Sequence, residues 1–142
     1  MSTYVKDYEC IVRELRTDAV VSVSSGFGDP LAPPVVVSAL WDTGAYGSVI
    51  NQKVVDALGL MPIDHHRACG VNGWYDTPVY VIDLQLPNNI VIKDVPVSLG
   101  GMVAADILIG MDVISLGDLN LTNKGSTVFA IRTPSEGSNP IA

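Results

Sequence analysis

The run Val35-Val36-Val37-Ser38-Ala39-Leu40-Trp41 leads directly into Asp42-Thr43-Gly44-Ala45. A near-continuous apolar run rich in β-branched residues predicts a strand buried on both faces. The strand delivers a carboxylate at its end, and carboxylates are seldom buried without a partner because loss of water disfavours the charged form. Asp42 is therefore predicted either to cap a turn or to take part in chemistry.

Asp-Thr-Gly alone is a weak signal, and two further features raise its value. Ser48-Val49-Ile50 follows the motif closely, and a second apolar strand, Ile107-Leu108-Ile109, ends in Gly110 before a predicted short helix. Together these features resemble the retropepsins, the single-domain aspartic proteases of retroviruses, retrotransposons and bacteria. The resemblance is strongest to the bacterial and retrotransposon type, and it spans roughly residues 17–132.

Composition limits the class of protein. A chain of 142 residues predicts one domain, and a charged fraction of only 16% beside 48% hydrophobic residues suggests apolar surface buried against a partner. A net charge of −7 argues against nucleic acid as a partner, because phosphates would be repelled. No apolar run reaches the roughly 20 residues that cross a bilayer, so no membrane is predicted. Cys10 and Cys69 form no disulfide framework, which predicts reduced thiols in a cytoplasmic protein.

The periodicity along the chain predicts an all-β domain over residues 1–132. Residues 4–15 fit a strand or a short helix equally well. Asn51 as N-cap and Gly59 at the C-terminal end predict a helix between them. The tail, 133–142, is rich in proline, serine and glycine and is predicted to be disordered. The other predicted elements are strands over 20–24, 35–41, 79–86, 90–99, 107–109, 118–121 and 127–131, and a helix over 110–116.

The resemblance implies a small closed β-barrel of the acid-protease type, with one or two short helices, that is active as a twofold dimer. Two carboxylates would share one proton and activate a water molecule, with no metal or organic cofactor. This chain has a single Asp-Thr-Gly, so the second carboxylate would be Asp42 of another copy.

The resemblance also implies roles for the residues around Asp42. Thr43 would bond across the dimer axis, and Gly44 would let the substrate backbone approach. Ala45 completes the active-site loop, and Gly110 would let the second strand pass behind that loop.

The segment Gly70-Val71-Asn72-Gly73-Trp74 lies where the retropepsins have their flap, the hairpin that closes over substrate. Its glycines make a hinge plausible, and closure excludes water from the reaction. An ordinary glycine-rich hairpin is the alternative.

Other chemistry-bearing residues are predicted to be structural. His65 and His66 point to opposite faces of a strand and make a poor metal pair. His65 and Cys69 share a face but lie about 13 Å apart in an extended chain, too far for a Cys–His dyad. Asp106 and Asp112 flank the second strand and are predicted to serve turn and helix-cap roles.

The chain departs from the viral pattern around the motif. Viral enzymes commonly carry an acid shortly after Asp-Thr-Gly-Ala and an arginine after the second-strand glycine, and these two residues brace the dimer. Here Tyr46 and Gly47 follow Ala45, and Met111 follows Gly110, so that brace is absent. Trp41 is also unusually bulky for a residue directly before the catalytic position.

The sequence therefore predicts an aspartic endopeptidase that acts on peptides or proteins as a homodimer. Two other classes stay open. One is a non-catalytic dimeric module that binds peptides or proteins on the same fold, and the other is a pure dimerisation domain within a larger assembly.

Overall fold

The computed structural model describes residues 2–101 and 104–141, with the backbone alone described at Ala68 and Gly70. The predicted domain limits Met1 and Ala142 lie outside the described residues. Within the described residues the chain forms two short α-helices, α1 (Gln52–Leu58) and α2 (Met111–Ile114), and ten strands. The strands are β1 (Ser2–Asp7), β2 (Leu15–Val23), β3 (Val35–Trp41), β4 (Val49–Ile50), β5 (Asp64–Gly70), β6 (Gly73–Leu86), β7 (Ile90–Leu99), β8 (Ile107–Ile109), β9 (Asp118–Thr122) and β10 (Val128–Thr133).

Six strands close into a barrel, in the order β2-β3-β8-β4-β7-β6, and a pairing between β6 and β2 completes the ring. The β3–β8 and β4–β7 pairings are parallel, and the others are antiparallel. Closure leaves no free edge among these six strands. This architecture confirms the predicted small closed β-barrel with two short helices. The remaining strand of this sheet, β5, pairs with residues 73–79 of β6, and the two form a hairpin that projects from the barrel.

The strand β3 shows the alternation of a half-buried strand, and the prediction that both of its faces are buried was wrong. Val37, Ala39 and Trp41 are at most 6% exposed, whereas Val36 is 72% exposed. Leu40 is only half-buried and lines an open cleft. The reason is that a single chain covers one face of β3 with the barrel core and leaves the other face largely open. A short apolar run does not by itself fix how many layers cover a strand.

Branched aliphatic side chains from the barrel strands fill the core. The indole of Trp41 packs into this core at 5.1 Å from the ring centroid of Phe129, and its Nε1 donates to Thr17 Oγ1 at 2.9 Å. Trp41 is therefore buried where the barrel meets β10, and only a small part of it borders the cleft at Asp42. The larger apolar side chains that are fully buried are Val21, Ile50, Val54, Leu58, Ile82, Leu84, Val97, Ile107, Ile109 and Phe129.

The helix α1 forms where its end signals place it. The Asn51 side chain accepts from the Val54 N–H at 3.1 Å, which satisfies one of the free donors of the first turn. Gly59 ends the helix at φ +55, a left-handed conformation that glycine adopts without strain. Val54 and Leu58 bury the inner face of the helix against the barrel.

A second sheet, in the order β1-β10-β9, packs beside the barrel. The N-terminal segment that the sequence left undecided is a strand over Ser2–Asp7, because it pairs along its whole length with β10. Its side chains show no clean alternation of burial, so local pattern alone did not distinguish strand from helix. The helix α2 is shorter than predicted.

Residues 134–141, the described part of the tail, form neither helix nor strand, and Arg132 holds some of them in place. The guanidinium of Arg132 is buried, binds Asp118 at 2.6 Å and donates to the carbonyls of Asn139 and Pro140. The Ser135 hydroxyl, the Glu136 N–H and Arg132 together lower the pKa of Asp118 to about 2. Disorder of this tail in solution stays a prediction. No helix among the described residues has the length and hydrophobicity needed to cross a membrane.

Candidate active site

Asp42 lies at the point where β3 leaves the barrel. The last register pair of the parallel β3–β8 ladder joins Trp41 to Ile109, and the Asp42 N–H donates to the Ile109 carbonyl at 2.9 Å. The Asp42 Oδ1 accepts from the Gly44 N–H at 2.8 Å, and the residue is half-buried. The barrel therefore fixes the backbone of Asp42, and one amide orients its carboxylate while part of the residue stays accessible.

The loop after Asp42 packs against the glycine that ends β8. The Ala45 carbonyl accepts from the Met111 N–H at 2.8 Å, just beyond Gly110. A Cβ atom on Gly110 would lie 2.8 Å from the Gly47 carbonyl oxygen and 2.9 Å from that of Ala45. Both neighbours are backbone atoms that cannot rotate away, so only glycine fits at this crossing without a shift of the loop.

Ser48 and Asp112 connect the same loop to α2, a link that the sequence pattern does not predict. The Asp112 carboxylate accepts from the Ser48 N–H at 3.0 Å and from the Ser48 hydroxyl at 2.7 Å. The Ser48 Oγ in turn accepts from the Gly110 N–H at 3.0 Å. Asp112 was predicted only to cap a helix, and it also fixes the loop from 64 residues away. Ser48 is 2% exposed, so these bonds are protected from water.

Replacement of Ser48 by alanine tests this link. Ser48→Ala leaves the buried Gly110 N–H without its acceptor, so we expect the free energy of unfolding to fall by about 1–3 kcal/mol. The measurement is urea unfolding followed by circular dichroism. Ser115→Ala is the matched control, because that serine is exposed at the end of α2 and should stay within about 0.5 kcal/mol of the unchanged protein. Equal unfolding midpoints for the two variants would contradict a structural role for the Ser48 hydroxyl.

Asp42 also borders an open cleft of about 420 Å³. Thr43 lies at this cleft and is exposed, as is Gly44, while Ala45 is half-buried. The other acid in the lining, Glu14, already pairs with Arg16 at 3.0 Å. The cleft is lined by Val12, Arg13, Glu14, Leu15, Leu40, Trp41, Asp42, Thr43, Leu119, Leu121, Asn123 and Thr127.

The segment predicted as a flap is the tip of the β5–β6 hairpin. Gly70 pairs with Gly73 across the turn, and Gly73 has φ +104. Val71 at the tip is fully exposed and Trp74 is 64% exposed, with the Arg67 guanidinium 5.2 Å from the Trp74 ring centroid. An apolar tip on a projecting two-stranded hairpin provides a surface that another molecule can cover.

The remaining sequence candidates do not converge with Asp42 into one site. The imidazole Nε2 of His66 lies 3.2 Å from the Ser98 Oγ on β7, and Cys10 and Cys69 are both exposed. Asp106 accepts from the Ser38 N–H and lies 3.5 Å from the Lys53 ammonium. The pKa of Asp106 is lowered, mainly by the hydrogen bond from Ser38. Among residues 2–101 and 104–141, no three His, Cys, Asp or Glu side chains are grouped as a metal site would require.

Comparison with protein families gives this geometry a context. A family model described as "gag-polyprotein putative aspartyl protease" matches residues 35–116, which is more than half of the chain and includes β3, the Asp42 loop, the β5–β6 hairpin and α2. The chain belongs to the gag-polyprotein aspartyl protease family. A search of curated proteins gave no significant match.

Solved structures support the fold of this gag-polyprotein aspartyl protease family member. One similar structure is a retropepsin-like aspartic protease from Rickettsia conorii, with 15% identity, a TM-score of 0.53, and coverage of 92% of this chain and 94% of that one. Another is EIAV protease in complex with the inhibitor HBY-793, with 16% identity, a TM-score of 0.50, and coverage of 72% and 86%. These similarities establish the retropepsin fold, and the function rests on the family and on the site.

Proposed function

We propose that this protein is an aspartic endopeptidase that works as a homodimer, with Asp42 contributed by each subunit. The observation that carries the proposal is the position of Asp42 in the described structure. A family-matched Asp-Thr-Gly stands at the mouth of an open cleft, its carboxylate is oriented by a backbone amide, and the neighbouring acid Glu14 is already paired. Each chain would therefore provide one of the two carboxylates that the reaction needs.

The reaction needs two carboxylates that share one proton. The ionised Asp42 would accept a proton from water, which makes the water a nucleophile toward the peptide carbonyl. The protonated Asp42 would donate its proton toward the carbonyl oxygen, which stabilises the charge that develops there. Collapse of the tetrahedral intermediate then releases the amine, with a proton returned to it by the pair. This chemistry is complete without a metal or an organic cofactor.

The residues beside Asp42 would position the second subunit and the substrate. Thr43 is exposed at the cleft, where its hydroxyl can bond the matching loop of the second copy. Gly44 is exposed and has no side chain, so a substrate backbone can approach its carbonyl. Gly110 and Ala45 hold the loop in place from behind.

The β5–β6 hairpin would act as the flap, with its tip at Val71-Asn72 between Gly70 and Gly73. The apolar side chains of Val71 and Trp74 would cover an extended peptide and exclude water from the reacting carbonyl. The exposed positions of these side chains in the single chain fit this role, because a closed flap gives them a partner.

Cleavage of a mixed peptide library is the experiment that tests the function. Mass spectrometry should detect products cut at internal peptide bonds, and a non-cleavable peptide with a hydroxyl in place of the scissile carbonyl should inhibit, because it resembles the tetrahedral intermediate. A non-catalytic dimeric peptide-binding module would bind library peptides and release them uncut. A pure dimerisation domain would bind none. Location in the cytoplasm stays a prediction.

The glycine at the flap provides a test of hairpin motion. Gly73→Ala places a side chain at φ +104, which is strained, so we expect a distorted tip and kcat/KM lower by about tenfold. Gly26→Ala is the matched control. Gly26 also has a positive φ, +90, and a Cβ at either glycine meets no atom within 4 Å. Gly26 differs because it lies in the β2–β3 loop and not in the hairpin. Equal kcat/KM for the two variants would place the flap elsewhere.

A further inference from the structure

The strand β9 is an open edge beside the candidate active site. In the order β1-β10-β9 it has β10 on one side and no strand neighbour among the described residues on the other. An uncovered edge presents backbone N–H and C=O groups that can pair with another strand. The opposite edge of this sheet is not equivalent. There the Asn88 amide donates to the Thr3 carbonyl of β1 at 2.9 Å, which places the turn after β6 against that edge.

Apolar side chains of β9 continue directly into the cleft at Asp42. Successive side chains of a strand point to opposite faces, so Leu119 and Leu121 share a face, and both line that cleft together with Leu40 and Thr43. Leu121 is 42% exposed. The outward face of β9 is different, because there Asp118 binds Arg132 and the tail residue Ser135. Residues 137–141 line a cavity with Asp118, Leu119 and Asn120, and Leu119 packs in part against the core. Among the described residues no strand pairs with the edge of β9, and Leu121 is open toward the Asp42 cleft.

The charge of this region suits association with an identical molecule. Each chain has a net charge of −7, so two copies repel one another over most of their surface. The cleft lining is nearly balanced, because its charged residues are one arginine, Arg13, and two acids, Glu14 and Asp42. Five of its residues are aliphatic, namely Val12, Leu15, Leu40, Leu119 and Leu121.

We propose that β9 pairs antiparallel with β9 of a second copy, about a twofold axis at Asn120, to form one six-stranded sheet across the dimer. The inference deepens the proposed function, on which it rests, because that function requires a second Asp42. Asn120 is the centre of the five-residue strand, so it opposes Asn120 of the other copy, and Leu119 opposes Leu121. The axis runs perpendicular to the sheet. The leucines point to the face of the sheet on which Asp42 lies. Four leucines then lie beneath the two Asp42 loops.

This arrangement assigns the role of the missing acid–arginine brace to β9. Strand pairing supplies backbone hydrogen bonds, and the Leu119–Leu121 cross-strand pairs exclude water between the subunits. The interface is continuous with the catalytic centre, so weaker pairing of β9 lowers the population of complete active sites.

Dissociation constants from sedimentation equilibrium test the proposal. Leu121→Asp puts a charge into the interface twice, once per subunit, and we expect the dimer dissociation constant to rise by about a hundredfold or more. Val5→Asp is the matched control. Val5 is 48% exposed, and it lies across β10 from Asn120, on the opposite edge of the same sheet. We therefore expect Val5→Asp to change the dimer dissociation constant by less than threefold. Leu121→Ala, which retains an apolar side chain, covers the case in which the charged variant fails to fold. It should weaken the dimer by about tenfold.

A cross-link tests the position of the axis directly. In a background with Cys10→Ser and Cys69→Ser, Asn120→Cys should form a disulfide-linked dimer under mild oxidation, because directly opposed residues of an antiparallel pair meet the distance that a disulfide needs. Val5→Cys in the same background should stay monomeric on a non-reducing gel. Equal dissociation constants for Leu121→Asp and Val5→Asp, or efficient linkage through residue 5 alone, would overturn the β9 interface.

Failure of the interface and failure of the protease function give different results. A protein that cleaves peptides and whose dimer is unaffected by Leu121→Asp retains the function and loses the interface. A protein whose dimer depends on Leu121 but which cleaves no peptide retains the interface and loses the function. A strict monomer at high concentration would overturn the interface outright.

Discussion

Asp42→Asn should abolish peptide cleavage, with a fall in kcat/KM of at least about a thousandfold. Asparagine keeps the shape of the side chain and an oxygen that accepts from the Gly44 N–H, so the loop should hold its conformation. Asparagine supplies no carboxylate that could share a proton with residue 42 of the second subunit. The dimer should persist with unchanged or higher stability, because in the proposed dimer of the unchanged protein the two facing carboxylates would repel one another.

The matched control is Asp29→Asn. The carboxylate of Asp29 makes the same type of local turn, accepting from the N–H two residues later, at Leu31, with a distance of 2.9 Å. It is exposed in the β2–β3 loop, so we expect full activity. Cleavage by Asp42→Asn at the control's rate would rule out the shared-carboxylate mechanism. Unfolding of Asp42→Asn, with no cleavage by the unchanged protein, would instead favour a turn-capping role and the binding-module alternative.

The same mechanism sets the dependence of rate on pH. In the proposed mechanism only the singly protonated pair would be active, so the unchanged protein should show a bell-shaped profile. Its acidic limb marks protonation of the remaining charge, and its basic limb marks loss of the shared proton. A single sigmoidal limb would indicate catalysis by one carboxylate.

Gly110→Ala should have the second large effect, this time on folding. The new Cβ would lie 2.8 Å from the Gly47 carbonyl oxygen and 2.9 Å from that of Ala45, so the Asp42 loop must move. We expect the free energy of unfolding to fall by about 2–3 kcal/mol and cleavage to fall by at least about tenfold, since the loop carries the carboxylate. Urea unfolding and initial rates on one cleaved peptide provide the measurements.

Gly47→Ala is the control for Gly110→Ala, because it adds the same methyl group to the same contact region. A Cβ at Gly47 meets no atom within 4 Å, and its backbone lies outside the left-handed region. Its stability and activity should stay close to those of the unchanged protein. If both variants behave alike, the close crossing behind the Asp42 loop is not what requires glycine at 110.

Local signals predicted the elements that border the site. The apolar run before Asp42, the apolar run before Gly110 and the cap residues Asn51 and Gly59 each act within a few residues of themselves. Because these signals depend on neighbouring residues and not on distant ones, β3, β8 and α1 form where the sequence predicts them. The hairpin around Gly70 and Gly73 belongs to the same group, because turn chemistry is also local.

Features that depend on layers and distant partners were missed or only partly predicted. Val36 is exposed despite its apolar neighbours, because the number of layers over β3 is a property of the assembled barrel. The residues 2–7 form a strand because β10 pairs with them from more than 120 residues away. Arg132 is buried because Asp118 and the tail surround it.

By itself the sequence determined the retropepsin-like barrel and the strand that ends in Asp42, and its single Asp-Thr-Gly is the reason why the proposed mechanism takes a second carboxylate from another copy. Only the tertiary structure decided what surrounds that carboxylate. The parallel pairing of β3 with β8 brings Ser48, Gly110 and Asp112 together, and the position of β9 sets Leu119 and Leu121 beside the Asp42 cleft. The physical reason is that these contacts join residues some 60 to 80 positions apart, where no local spacing or periodicity records the neighbour.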